Sequence, residues 1–271
     1  MAAYRSFNAT FKNSLQKAAE IGDIETVRQL LESKICDANE RTDTVGLGLL
    51  VPVDRTPLHY AATGGHCDIA ALLIQHGADP CRVTWDGQTP LHFAATAGHC
   101  DIAAFLIQHG ADPCRVTWDG QTPLHFAATA GHCDIAALLI QHGADPSGAN
   151  KGGQTPLHSA AFGGHSDVAA LLIQHGADPS RYSVDARSPL FDAAMGGHCD
   201  VVTLLIQHGA DPCSMNWMRV TPLHDAAMGG HRDVAALLIQ HGADPCSEDW
   251  KYKMFCCTAK RTVMGKGDKM A

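Results

Sequence analysis

The sequence has no long hydrophobic run and no segment with the composition of a secretory signal. Its longest uncharged apolar stretch, residues 45–53 (VGLGLLVPV), is far shorter than the roughly 20 residues that a membrane-spanning helix needs. Residues 1–19 lack the basic segment followed by an apolar core that a signal peptide carries. We therefore expect a chain without a membrane span, in the cytoplasm or alternatively in the nucleus.

Catalytic and cofactor motifs are also missing. The sequence contains no glycine-rich phosphate loop, no H-E-x-x-H helix, no G-x-S-x-G elbow and no kinase signature. Its eleven cysteines include no C-x-x-C pair, the spacing that commonly ligates zinc. These absences predict a protein without catalytic residues, a metal site or a cofactor.

Positive charge is scarce outside the C-terminus. The formal net charge is −8, but residues 251–271 carry six basic residues and one acidic residue, which leaves −13 on the remainder. Nucleic-acid binding depends on Lys and Arg that neutralise phosphates. The acidic body therefore predicts that nucleic acid is not a partner.

What the sequence does contain is a repeat with a period of 33 residues. The segment Thr-Pro-Leu-His recurs in five places, and Ser-Pro-Leu-Phe takes its place once in the same register. Such self-similarity is typical of repeat architectures. The copies lie at 56–59, 89–92, 122–125, 155–158, 188–191 and 221–224.

One repeat can be interpreted as two short helices. Thr89 is a suitable N-cap, and Pro90 follows at the first helical position, where no N–H is needed. Gly98 supplies a left-handed residue that ends this helix, and a second helix begins near His99 and ends at Gly110. The predicted buried stripes are Leu91, Ala94 and Ala95 in the first helix and Ile102, Phe105 and Leu106 in the second.

Helices this short are not stable alone in water. Each repeat must therefore bury its apolar faces against the repeats before and after it. The sequence predicts an all-α repeat solenoid.

The same residues resemble the ankyrin repeat family. Six units follow the family's pattern G-x-TPLH-x-AA-xx-GH-x-[DE]-[IV]-x-x-LL-x-HGAD almost letter for letter. The resemblance implies ankyrin repeats with stacked helix-turn-helix layers and β-hairpin or loop fingers, arranged around a concave face.

The repeat pattern also predicts the organisation of the chain. An N-terminal tail (1–13) precedes an N-terminal capping repeat (14–37). An insertion or long finger (38–55) follows, because the Ala-Ala pairs of the first two repeats are 43 residues apart rather than 33. Six repeats occupy 56–88, 89–121, 122–154, 155–187, 188–220 and 221–250, and a degenerate C-terminal cap with a basic tail occupies 251–271.

The seventeen histidines invite a metal hypothesis, but all of them fall in three repeating positions. We interpret them as structural residues that bond loops and adjacent repeats. Cysteines at equivalent positions should lie about 8–10 Å apart, too far for a disulfide or a shared zinc ion. The three histidine sets are residues 59, 92, 125, 158 and 224; residues 66, 99, 132, 165, 198 and 231; and residues 76, 109, 142, 175, 208 and 241.

Positions that the repeat leaves variable are the candidates for binding. In the ankyrin family these are the finger tips and the exposed side of the first helix. Here they are unusually apolar for a surface, and Trp and Tyr are enriched among residues that dominate binding energy. We predict a partner-binding set of Tyr60, Trp85, Asp86, Gln88, Phe93, Thr96, Trp118, Asp119, Gln121, Phe126, Thr129, Phe162, Met195, Trp217, Met218 and Met228.

The tryptophans admit a second interpretation, in which each lies flat over the next finger and only shields its backbone. Lys151 and Val184 take the place of the tryptophan in other repeats, which favours recognition because a residue required for the fold should recur in every repeat. The near-identity of 81–113 and 114–146 weakens this argument, because recent duplication copies a residue without selection for binding.

The function predicted from these features is that of a monomeric, non-catalytic adaptor or scaffold that binds a protein partner through the concave face. The alternative is a regulatory or targeting ankyrin region of a larger signalling enzyme or channel.

Overall fold

The structure is a computed structural model that describes residues 14–42 and 54–245. The described residues form fourteen short α-helices, a first and a second helix in each repeat, and no strand. The first helices are α1 (Ser14–Ile21), α3 (Pro57–Gly64), α5 (Pro90–Ala97), α7 (Pro123–Ala130), α9 (Pro156–Gly163), α11 (Pro189–Gly196) and α13 (Pro222–Met228). The second helices are α2 (Ile24–Glu32), α4 (Cys67–Gln75), α6 (Cys100–Gln108), α8 (Cys133–Gln141), α10 (Ser166–Gln174), α12 (Cys199–Gln207) and α14 (Arg232–Gln240).

Five of the seven described first helices begin with a threonine bonded to a histidine; α1 and α11 do not. In α5 the backbone N–H of Thr89 donates to Nδ1 of His92 at 3.1 Å, and the Thr89 hydroxyl lies 2.9 Å from the same nitrogen. The histidine ring thus stands where a capping box usually has Glu or Gln. The predicted N-cap is confirmed.

Each helix of this repeat ends at a glycine with left-handed backbone. Gly98 has φ 85° and donates its N–H to the Ala94 carbonyl, and Gly110 has φ 94°. Both positions favour glycine because a Cβ is strained at such φ values. The two helix ends lie where the sequence predicted them.

The apolar stripes are as predicted with one exception. Leu91, Ala94, Ala95, Ile102 and Leu106 are fully buried.

Phe105 was predicted to be buried and is only half-buried, so that prediction is wrong. Its ring stacks on His109, with centroids 4.1 Å apart, and Ala103 is the residue fully buried in α6. The small alanine lets the neighbouring helix approach closely, which leaves the larger ring at the edge of the helix.

The chain divides into two compact units. Among the described residues the N-terminal unit comprises 14–42, 54–127 and 134–144, and the C-terminal unit comprises 128–133 and 145–245. Within the N-terminal unit α3 packs between α1 and α5, and α4 packs between α2 and α6. Within the C-terminal unit α11 packs between α9 and α13, and α12 packs between α10 and α14. Stacked helix pairs in each unit confirm the repeat solenoid.

Two of the three histidine sets join adjacent repeats. Nε2 of His59 lies 3.2 Å from the carbonyl oxygen of Gln88 in the next finger, and Nε2 of His99 lies 3.0 Å from the carbonyl oxygen of Thr63 in the previous repeat. A carbonyl only accepts, so these Nε2 atoms donate. The third set, which precedes the second-helix glycines, is exposed instead.

The fingers between repeats are hydrogen-bonded turns. In one finger the N–H of Thr84 donates to the carbonyl of Gln88, and the N–H of Gly87 donates to the carbonyl of Thr84, both at 2.9 Å. The finger of the next repeat is attached by the N–H of Trp118, which donates to the Asp86 carbonyl at 3.0 Å. Of the hairpin and loop forms expected, the described fingers adopt the loop form.

The two ends of the predicted insertion meet at the edge of the first described finger. Thr42 donates its N–H to the Arg55 carbonyl at 3.0 Å, and Arg55 donates its N–H to the Thr42 hydroxyl at 3.0 Å. Arg41 and Asp54 form an ion pair beside them. The rest of the insertion (43–53), the N-terminal tail (1–13) and residues 246–271 lie outside the described residues.

None of the helices in 14–42 and 54–245 has both the length and the hydrophobicity needed to cross a bilayer.

Candidate protein-binding surface

Two tryptophans stand side by side on neighbouring fingers of the N-terminal unit. The indole rings of Trp85 and Trp118 meet edge to face, with centroids 5.7 Å apart and planes at 90°. Trp85 is 41% exposed and Trp118 is 61% exposed. The pair, here called the tryptophan pair, combines a favourable aromatic contact with a large accessible apolar area.

The backbone holds the tryptophan pair in place. The N–H of Trp85 donates to Oδ1 of Asp54 at 2.8 Å, and the finger of Trp118 is bonded to Asp86. Trp118 also lies against Gly87, where a Cβ would come within 3.2 Å of its Cδ1 atom. Both interpretations of the tryptophans therefore describe part of the arrangement: Trp118 rests on the preceding finger, and its ring stays exposed.

The polar residues around the tryptophan pair chiefly shape the fingers. Asp86 accepts hydrogen bonds from the Thr84 hydroxyl and from Nε2 of Gln88, the latter at 2.8 Å. The Gln121 carbonyl accepts from the N–H of Thr117. Asp119 is exposed, so of this group it is the most accessible to a partner.

The first helices of the N-terminal unit contribute less free surface than predicted. Tyr60 and Phe126 are half-buried, and Thr96 is exposed.

Phe93 was predicted to lie on the exposed side of the first helix, but it is only 8% exposed. The edge of the His59 ring packs on it at 5.3 Å, and the Arg55 guanidinium covers it at 4.4 Å from the ring centroid. The prediction failed because both covering groups come from the preceding repeat and its finger.

The C-terminal unit presents a second apolar set. Trp217 is 78% exposed and donates its Nε1–H to the Val184 carbonyl at 2.8 Å, which fixes the ring beside the previous finger. Met218, on the same finger, is also exposed. The other predicted residues of this unit, Thr129, Phe162, Met195 and Met228, are exposed as well.

A charged cluster in the C-terminal unit was not among the predicted site residues. Arg187 Nη2 lies 2.8 Å from Asp225 Oδ2 and 3.6 Å from Asp192 Oδ1, and its guanidinium lies over the Phe191 ring at 5.2 Å. Burial raises the pKa of Asp192 to about 6 and raises that of Asp225, while Arg187 acts in the opposite direction on both. The sequence signal was the replacement of TPLH by SPLF at residues 188–191.

None of the cysteines in the described residues forms a disulfide. Cys81 donates its Sγ–H to the Gly110 carbonyl at 3.2 Å, and Cys114 and Cys213 bond equivalent carbonyls. Within 14–42 and 54–245, no three His, Cys, Asp or Glu side chains lie close enough together to hold a metal ion.

The described residues form seven stacked helix pairs joined by turn-like fingers, and five of these pairs begin with Thr-Pro-Leu-His. This arrangement defines a class of repeat protein. A family model for ankyrin repeats (3 copies) matches residues 15–117, 114–183 and 180–249, which is most of the chain. The chain belongs to the ankyrin repeat family. Ankyrin repeats are generally protein-interaction modules and are typically non-catalytic.

Two curated relatives share part of this repeat region. The 2-5A-dependent ribonuclease of Mus musculus is 49% identical over 70 residues, which is 26% of this chain and 8% of that protein. Ankyrin repeat domain-containing protein 49 of Homo sapiens is 44% identical over 67 residues, which is 25% of this chain and 24% of that protein. The chain therefore spans less than a quarter of the length of either relative.

Proposed function

We propose that this protein is a non-catalytic interaction scaffold or adaptor that binds a partner protein through its finger tips and first helices. The observation that carries the proposal is the tryptophan pair, Trp85 and Trp118, exposed on two adjacent fingers. A solvent-exposed pair of large aromatic rings is what a partner protein can bury with the greatest gain.

The attachment of the two tryptophan-bearing fingers to neighbouring segments supports this role. The backbone N–H of Trp85 donates to the Asp54 side chain in the segment before the first finger. The backbone N–H of Trp118 donates to the Asp86 carbonyl in the preceding finger. A finger whose backbone is already fixed loses less conformational entropy on association than a loop that must become ordered.

The exposed apolar residues of the C-terminal unit provide a second contact surface. Met195, Met228 and Met218 have flexible, polarisable side chains that adapt to different partner shapes. We propose that this set is a contact surface of the C-terminal unit for a protein partner.

Quantitative affinity purification tests the proposal. The wild type and the double variant Trp85→Ala/Trp118→Ala are used as baits, with Ile21→Ala as the matched control because Ile21 is an exposed apolar residue outside the predicted set. We expect the double variant to lose at least one partner that the control retains, with unchanged helical content by circular dichroism. Recovery of the same partners at equal strength from all three baits contradicts the tryptophan assignment.

A second candidate function is a regulatory or targeting region of a larger signalling enzyme or channel. It is favoured by the match to the 2-5A-dependent ribonuclease, in which the similar segment makes up only 8% of the protein. Sequencing the transcript on both sides of the region that encodes this chain tests this alternative. An in-frame stop codon upstream of codon 1, together with a stop codon directly after codon 271, would eliminate it.

We further propose a monomer in the cytoplasm or nucleus, with proteins rather than nucleic acid as partners. Exposed free thiols such as Cys81, Cys114 and Cys213 are typical of reducing compartments. Light scattering on the purified protein tests the oligomeric state, and imaging of a tagged chain tests the location. A dimer mass or a secreted chain would contradict these proposals.

A further inference from the structure

Two arginines occupy the same finger position in the two units. Arg55 and Arg187 are four repeats of 33 residues apart, and each directs its guanidinium over aromatic rings. Arg55 lies 4.4 Å from the centroid of Phe93 and 5.9 Å from that of Tyr60, and Arg187 lies 5.2 Å from that of Phe191. Each guanidinium thus lies over at least one aromatic ring, which is a favourable cation–π arrangement.

The two arginines differ in the side chains that lie beside the guanidinium N–H donors. Arg187 is paired with Asp192 and Asp225. The residues at the equivalent positions beside Arg55 are Tyr60 and Phe93, which carry no negative charge. Across 14–42 and 54–245 no carboxylate pairs with the Arg55 guanidinium, and no side-chain hydrogen bond from it is formed.

The nearest acidic residue along the chain is already engaged. Asp54 forms an ion pair with Arg41 and accepts the N–H of Trp85. The same bond places the Trp85 finger beside the segment that carries Arg55. Within the described part of the chain, therefore, a half-buried guanidinium without a side-chain partner lies next to the finger that carries Trp85.

Packing alone does not require a guanidinium at this position. The corresponding finger residue is Gln88, Gln121 or Gln154 in three other repeats, so the fold accommodates an uncharged side chain of similar length there. Stacking uses the faces of a guanidinium and leaves its five N–H donors in the plane for a carboxylate.

We propose that Arg55 anchors a carboxylate of the partner protein, an Asp or Glu side chain flanked by apolar residues that pack on Tyr60 and Trp85. Arg187 shows the pairing this position makes when carboxylates are within reach, 2.8 Å from Asp225. A single guanidinium matches the single charge of a carboxylate, and the neighbouring cation, Arg41, is already neutralised by Asp54. The inference rests on the proposed protein-binding function.

Selection from a display library of random 12-residue peptides, with the full chain as bait, tests the proposal. We expect peptides that depend on the tryptophan pair and are enriched in Asp or Glu. For a selected peptide, Arg55→Gln should weaken binding at least about tenfold, which is the loss expected for one charge-assisted pair. The matched control is Arg115→Gln, because Arg115 is exposed and the substitution removes the same charge.

A double-mutant cycle identifies the contact. Replacing the peptide's acidic residue by Gln or Asn should reduce affinity for the wild type by the same factor, and should have no further effect on the Arg55→Gln variant. A thermal midpoint within a few degrees of the wild type shows that the variant is folded.

The outcomes separate this inference from the proposed function. Peptides that require Trp85 and Trp118 but bind Arg55→Gln within twofold of the wild type overturn the Arg55 assignment alone. Peptides that bind independently of the tryptophan pair, or no peptides at all, count against both. Binding at least tenfold tighter to a phosphoserine peptide than to its glutamate counterpart overturns the choice of a carboxylate.

Discussion

Arg187 links the finger before α11 to α13, the first helix of repeat 221–250, because its Nη2 atom lies 2.8 Å from Asp225 Oδ2. Both carboxylates beside it, Asp192 and Asp225, are buried. The C-terminal unit thus contains two buried acidic groups that depend on one partly exposed guanidinium.

Removing this guanidinium should destabilise the protein. Arg187→Gln leaves two buried carboxylates without their counterion, and breaking such a pair costs about 3–5 kcal/mol when it is fully buried. Because Arg187 is 22% exposed, we expect a smaller loss, about 2 kcal/mol in the free energy of unfolding at pH 7. Urea unfolding measures it. The triple variant with Asp192→Asn and Asp225→Asn should recover most of the loss; no recovery would contradict the role assigned to the pair.

Asp192→Asn alone should stabilise the protein at neutral pH. Burial raises the folded-state pKa of Asp192 to about 6. Between about pH 4 and 6 the native state therefore binds more protons than the unfolded state, and stability falls as the pH rises. Above pH 6 the ionised Asp192 lowers the free energy of unfolding. We expect the variant to gain about 1–3 kcal/mol at pH 7, from a shift of roughly two pKa units. The gain should shrink as pH falls through 6 and should disappear near pH 4. A gain that does not change with pH would point to packing rather than ionisation.

The Thr-Pro-Leu-His histidines should make the array sensitive to acid. Burial lowers the pKa of His59 to about 3 and that of His92 to about 4, and the nitrogen that protonation would occupy already accepts a backbone N–H. Their contribution to stability is present above the unfolded-state pKa of about 6.5 and is lost as pH falls toward the folded values. As the pH falls from 6 to 4.5, we expect each histidine to lower the free energy of unfolding by up to about 1.4 kcal/mol per pH unit.

Unfolding of the wild type and of His59→Gln at several pH values measures this dependence. The variant should be less stable at pH 7 but should show a shallower dependence on pH. Parallel curves for the two proteins would show that His59 is not responsible. Protonation of Asp192 increases stability as the pH falls, which opposes the effect of the histidines. Both proteins are therefore compared in the Asp192→Asn background, which removes this contribution.

A glycine comparison tests the bond between repeats. Gly65 has φ 75°, and a Cβ there would lie 2.6 Å from Nδ1 of His99, whereas Gly77 has φ 86° with no atom within 4 Å of its Cβ position. Gly77→Ala should cost about 1 kcal/mol from backbone strain alone. Gly65→Ala should cost about 3 kcal/mol, because the ring must also move. Thermal unfolding of both variants measures the difference, and equal losses would mean that the His99 ring is not held against Gly65.

Local features of the sequence determined the repeat. The period of 33 residues, the N-cap threonines and glycines such as Gly98 and Gly110 depend only on neighbours along the chain, so helix positions and ends could be predicted. The family followed from the same residues. Exposure of Trp85, Trp118 and Trp217 could also be predicted, because these residues lie at the tips of turns.

Contacts between repeats were decided by the tertiary structure. Phe93 is covered by His59 and Arg55, residues that lie 34 and 38 positions away in the chain and reach it only when the repeats stack. Stacking also gives the same finger position an ion pair at Arg187, whereas the described residues place no carboxylate on Arg55. The periodic pattern specifies each repeat separately, whereas burial and charge pairing depend on which side chains the adjacent repeats bring together.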